Sequence, residues 1–198
     1  MTQTTAFPRR AGAPLAEPIT LAQALHHLRE VSDSAENDAY ILGLISVARE
    51  ACEDRTERSL VSTPLLLTLD GFPTGGAIEL RSPPLIAAQS VQFTDPAGVL
   101  QTLDPADYVV DTASQPGYLV PAPGKAWPET QEGAINTVRV NYTAGYGDTA
   151  ASVPTPLKQW MLLAIGDMYA MRNASSERPA VGHGFVDHLL NPYRLLGI

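Results

Sequence analysis

Lysine, cysteine and long apolar runs are what this 198-residue chain has least of. Its apolar stretches fall short of the ~20 residues a membrane span needs, and its first residues lack the basic region and apolar core of a signal peptide. The expectation is a soluble chain, not secreted by that route and with no membrane partner. The single cysteine, Cys52, excludes a disulfide within the chain and reads as a buried thiol in a helix, which suits synthesis in a reducing cytoplasm. Only two lysines, Lys125 and Lys158, contribute to 13 Lys+Arg against 21 Asp+Glu, a formal net charge of −8. Phosphate binding is driven by basic side chains and counterion release, so this balance argues against a chain that grips DNA. It does not exclude standing beside DNA, because a channel wall that must let DNA slide works better if it does not hold phosphates.

Enzymatic signatures are also missing: there is no P-loop, no G-x-S-x-G elbow, no H-E-x-x-H and no C-x-x-C. His26 and His27 are neighbours on a helix, about 100° apart, which disfavours a shared metal. His183, Asp187 and His188 could converge on zinc if residues 184–188 were helical, but a polar loop entering a helix explains the same residues more simply. Asp104, Asp107 and Asp111 read as turn residues, since they lack the central glycine and terminal glutamate of a calcium loop. Gly145-Tyr146-Gly147 lacks the following Gly-Lys-Ser/Thr of a phosphate loop and precedes Asp148, so it reads as a strand-to-helix connection. Trp127, Trp160 and the seven tyrosines are scattered without basic residues between them, which disfavours a stacking platform for single strands. No catalytic residue, cofactor site or metal site is assigned.

What is present is apolar patterning: 44% of residues are hydrophobic, enough to bury a core. Residues 1–18 contain Pro8, Pro14 and Pro18 and read as a flexible arm. Thr20 followed by Gln23 is a capping-box pattern that opens a helix over about 20–31, and Ser32-Asp33-Ser34 opens a second over about 35–59 with Ile41, Leu44, Ile45, Ala48 and Cys52 in one stripe. From residue 63 the period shortens. Runs at 65–69, 78–80, 87–94, 108–111, 118–120 and 137–142 alternate with Gly/Pro/Asp turns, which predicts an antiparallel β unit over about 63–148. Asp95-Pro96-Ala97-Gly98 is its best hairpin turn. Helical period returns over about 155–172, with Leu157, Trp160, Met161, Ala164 and Ile165 on one face, and a short helix is expected at about 185–190 before Asn191-Pro192. The predicted fold class is α+β: a helical bundle core from which the β unit projects as an insertion. Charge divides unevenly, at −3 for residues 1–61, −6 for 62–148 and +1 for 149–198.

Residues 20–172 are similar to the head-tail connector family of tailed phages, also found in the phage-derived particles called gene transfer agents. The resemblance is carried by a series of segments in order: residues 21–28 and 44–57, Leu69-Asp70-Gly71-Phe72-Pro73, Pro83-Pro84-Leu85, residues 91–98, Leu103-Asp104-Pro105-Ala106-Asp107-Tyr108, Pro116-Gly117-Tyr118-Leu119-Val120-Pro121, Trp127-Pro128, residues 138–148, Val153-Pro154 and Leu157-Lys158-Gln159. It implies a non-catalytic adaptor in the particle neck that forms a dodecameric ring between the portal protein and a tail-side stopper, with DNA passing through without sequence-specific binding. On this view residues 1–18 are the arm, 19–198 a single adaptor domain with its insertion at 63–148, and 191–198 a docking tail. The resemblance implies a grip on the portal through the C-terminal segment, so Tyr193, Arg194, Leu195 and Leu196 become the expected docking residues for the portal or a neighbouring subunit; the alternative is that this apolar tail folds back onto the chain's own helices. The rivals are a stopper or tail terminator, which would be dominated by β structure, and a hydrolase or carbohydrate-binding accessory domain, which would need a concave site with converging carboxylates or aromatics.

Overall fold

A computed structural model of the chain describes residues 7–74, 76–172 and 184–195. It divides into two compact units: Met1–Pro14 with Ser62–Tyr146, and Leu15–Val61 with Gly147–Ile198.

The second unit is helical. Helix α1 (Leu21–Leu28) starts on the expected capping box, in which the Thr20 hydroxyl accepts from the Gln23 N–H at 3.2 Å and Gln23 Oε1 accepts from the Thr20 N–H at 2.9 Å. It stops at Leu28 because Arg29 takes a left-handed conformation (φ 60°). Helix α2 (Ala35–Thr56) is capped by Ser34 and ends in the same way on Glu57 (φ 55°), each helix about three residues short of the sequence expectation. Helix α3 (Thr155–Met171) has Pro156 in its first turn, where the missing N–H costs nothing. Ile41, Ile45, Ala48 and Cys52 of α2 and Leu157, Met161 and Ile165 of α3 are fully buried, and each large aliphatic among them stabilises the unit by about 1.5–3 kcal/mol. Ala164, expected in the same core, is only half-buried.

The first unit is a sandwich of two antiparallel sheets. Strands β1 (Arg9–Arg10), β2 (Thr63–Leu69), β4 (Leu85–Thr94), β5 (Leu100–Thr102) and β8 (Val138–Ala144) form one, in the order β1-β2-β8-β4-β5; β3 (Ile78–Leu80), β6 (Tyr108–Asp111) and β7 (Gly117–Pro121) form the other, in the order β3-β7-β6. Alternate side chains of both sheets, including Leu65, Leu67, Leu80, Val91, Leu119, Val138, Val140 and Tyr142, make one buried cluster. The sheets approach so closely at Gly117 that a Cβ there would lie 2.5 Å from Leu85 Cδ2. At the β4–β5 turn Asp95 Oδ1 accepts from the Ala97 and Val99 N–H groups at 3.0 and 2.9 Å and Gly98 sits at φ +83°, the hairpin expected from its four residues.

This architecture corrects the expected fold class. The fold is a sheet-dominated α+β arrangement with, among the described residues, eight strands in two antiparallel sheets, not a helical bundle core, although a β unit is inserted between the helices. The reason lies in how each pattern is read along a sequence. A helix of 17 or 22 residues shows its apolar stripe within itself. A strand of three to ten residues shows only a few inward positions, and the size of the core emerges when two sheets pool them. Strand β1 gave no signal and β5 none beyond the turn that leads into it, since every residue in them is exposed.

Candidate partner-docking site

The C-terminal segment is where the sequence places partner contacts. Helix α4 (Gly184–Asp187) runs directly into a 3-10 turn over His188–Tyr193 that contains Pro192. Leu190 in that turn is completely buried and anchors the segment in the helical unit. Polar ties hold it from α2, from Arg58 just beyond α2, and from α3. Arg58 Nε donates to the Tyr193 carbonyl, and the Leu195 N–H donates to the Thr56 carbonyl at 3.3 Å. Asp187 Oδ1 accepts from Arg55 Nη1 at 2.7 Å and from the Trp160 indole N–H at 3.0 Å, while the Arg55 guanidinium lies 5.2 Å from the Trp160 ring centre. The indole hydrogen bond, assisted by the charges of Arg55 and Arg194, holds the Asp187 carboxyl below its ordinary value.

These ties fix how the expected docking residues are presented. Tyr193 and Leu195 are half-buried, their backbones engaged, and Arg194 is exposed. Leu196 lies outside the described residues. The segment therefore offers a partner an exposed cation beside two half-covered apolar side chains on a backbone that is already ordered, which lowers the entropic cost of binding. Sequence reasoning missed Arg55, Arg58 and Trp160 as the clamp, because the contacts span up to 135 positions and no local pattern announces them.

The unit is further braced by a buried charge network. Arg49 donates to Glu17 Oε2 at 2.9 Å and to Glu53 Oε2 at 3.0 Å, and Glu53 Oε1 accepts from the Leu60 N–H at 2.9 Å. Burial opposes the charge on Arg49, but Glu53 and Glu17 outweigh it and hold the guanidinium above its ordinary value.

The other candidates resolve into structure. Asp104 Oδ1 accepts from the Ala106 N–H at 2.9 Å and Asp111 Oδ1 from the Ala113 N–H at 2.9 Å, so both serve turns, while Asp107 forms an ion pair with Lys125 at 2.9 Å. Asp187 is committed to Arg55 and Trp160, and His183 lies outside the described residues. Among the described residues no group of three or more His, Cys, Asp or Glu could hold a metal ion. Burial pushes the Cys52 thiol up to about 12, the behaviour of a packed, inert side chain.

No protein-family model and no curated protein matches the chain. Solved structures do. Chains from structures described as the neck of an empty GTA particle computed with C6 symmetry, the virion of a native gene transfer agent (GTA) particle, and the neck of a native GTA particle computed with C12 symmetry match with TM-scores of 0.78, 0.79 and 0.74. Each is 24% identical, and the match covers 97% of this chain and 97% of the other. At that identity the likeness shows a shared fold over both units.

Proposed function

We propose that the chain is a structural protein of the neck of a gene transfer agent or tailed-phage particle, working as a homo-oligomeric ring. The observation that carries this reading is the likeness over 97% of both chains to proteins of GTA necks and virions, two of them in structures computed with C6 and C12 symmetry. A ring of twelve copies fits both symmetries. Within the neck the role proposed is that of the adaptor between portal and tail-side stopper, with DNA passing through the ring. The net charge of −8 supports a wall that DNA slides past. Tyr193, Arg194, Leu195 and Leu196 are proposed to dock on the portal, with Arg194 meeting an acidic surface and the ordered turn over His188–Tyr193 presenting them.

A second reading is favoured by one observation: the sheets dominate the fold, as expected of a stopper or tail terminator. The two readings differ in the neighbour they bind. Mass photometry of the chain mixed with portal protein, and separately with tail-side neck protein, distinguishes them. An adaptor forms a stoichiometric ring on the portal, and Arg194→Glu weakens that ring without changing the melting temperature. A ring formed only with the tail-side protein would replace the adaptor role by the stopper role, and no ring with either would remove the neck reading.

A further inference from the structure

On the five-stranded sheet, Arg9, Leu66, Thr68, Asn136 and Arg139 line an open groove of about 420 Å3. Arg9 stands opposite Leu66 and Arg139 opposite Thr68 on the two sides of β2. Two strand spacings and a two-residue offset put their Cα atoms about 12 Å apart. Both side chains are exposed, and neither forms an ion pair among the described residues. Elsewhere in this acidic unit cations are matched: Arg81 pairs with Glu79 at 3.0 Å and Lys125 with Asp107 at 2.9 Å. Two unmatched guanidiniums, a threonine hydroxyl and an asparagine amide around a leucine floor make a donor-rich site whose natural ligand is a pair of carboxylates.

The complementary surface is on the same chain. Glu129 and Glu132 are exposed and also form no ion pair among the described residues. Three residues apart, with Glu132 entering a turn at Gly133, their Cα atoms can separate by at most about 10 Å, within reach of the two long arginine side chains. Ile135 follows, 76% exposed, an apolar side chain sized for the Leu66 floor. The loop ends at Asn136, whose N–H donates to Asp70 Oδ1 at 2.9 Å, while the Thr137 hydroxyl donates to the Asp70 carbonyl at 2.6 Å. It is thus pinned beside the groove, yet its glutamates do not pair with the arginines of their own copy.

We infer that the groove of one copy receives residues 129–135 of the next copy in the ring, Arg9 and Arg139 taking Glu129 and Glu132. This rests on the ring reading proposed above. Such a contact joins two different patches, the heterologous kind that closes a ring when repeated. The phosphates of DNA are a weaker match, because the groove spans two side chains within an otherwise acidic unit.

The test is a charge swap in the full chain, with ring formation on portal read by mass photometry at low and high salt. R9E/R139E and E129R/E132R should each lower the ring fraction by about tenfold, with melting temperatures unchanged, and the four substitutions together should restore it. The neutral pair R9Q/R139Q, gentler on the fold, should fall between. Rings of R9E/R139E as abundant as those of the wild type overturn the inference. So does a loss on reversing the arginines without a loss on reversing the glutamates, which would assign the groove to another anion. Failure of the wild type itself to form rings would sink the ring reading instead, and is distinguishable because no variant is involved.

Discussion

Both units have an apolar core, but they differ in the polar side chains buried beside it. In the helical unit Arg49, Glu53 and Arg58 are inside, together with Thr56 and Ser59, whereas the buried cluster of the sandwich is wholly apolar and aromatic and its buried polar residues are the uncharged Ser62, Thr63 and Thr137. The sandwich is nearly continuous in sequence; the helical unit is assembled from two stretches with the whole insertion between them. Apolar burial is non-directional, and it suffices where hairpins already set the register. Segments brought together from afar gain from directional contacts, and here charges supply them: Glu17 to Arg49, Arg58 to the Tyr193 carbonyl, Asp187 to Arg55. The same ties that close the helical unit hold the proposed docking segment in place.

The largest effect is expected for Arg49→Met, which removes the buried cation shared by Glu17 and Glu53 and should cost about 3–5 kcal/mol in chemical denaturation. Pairing it with Glu53→Gln, which keeps an acceptor for the Leu60 N–H, should recover most of that loss. A cost for the double variant as large as for Arg49→Met would mean that the charges are not what holds this unit. In the sandwich, Leu119→Ala removes a fully buried side chain from the central strand of the smaller sheet and should cost about 2–5 kcal/mol. A smaller loss, about 1–3 kcal/mol, is expected for Gly117→Ala, whose Cβ would press on Leu85 and on the Asp111 carbonyl oxygen. A neutral melt for that variant would show that the sheets can move apart there. Smallest of all is the pH effect of Asp187. Its carboxyl sits below the ordinary value, so its stabilising contribution is present above a pH of about 4 and is lost as the pH falls through the lowered value. Thermal melts of the wild type and Asp187→Asn should therefore differ at neutral pH and converge in acid, and a gap that persists in acid would remove the carboxylate from the clamp.

What was legible in the sequence follows the range of the interactions. The capping box at Thr20 and Gln23, the stripe of α2 and the turn at Asp95 and Gly98 each complete themselves within a few residues, and the structure has each of them where the sequence puts it. Pro8, Pro14 and Pro18 point to an arm, but Arg9 and Arg10 find backbone partners in Leu66 and Leu65, more than fifty positions away. The predominance of the sheets was hidden for a similar reason, because Leu80, Val91, Leu119 and Val140 meet only after the strands pair. Of the candidate site, the sequence offered Tyr193, Arg194, Leu195 and Leu196 by their position after Asn191-Pro192, but not the clamp from Arg55, Arg58 and Trp160, and not the groove between Arg9 and Arg139.

As proposed, this protein works as one ring in the neck of a particle. Quantitative mass spectrometry of purified particles, with portal protein as the internal reference, tests it most directly. This chain is expected in every particle preparation at one copy per portal subunit, retained through gradient purification. Its absence from purified particles, or an amount that varies independently of the portal, would contradict the claim.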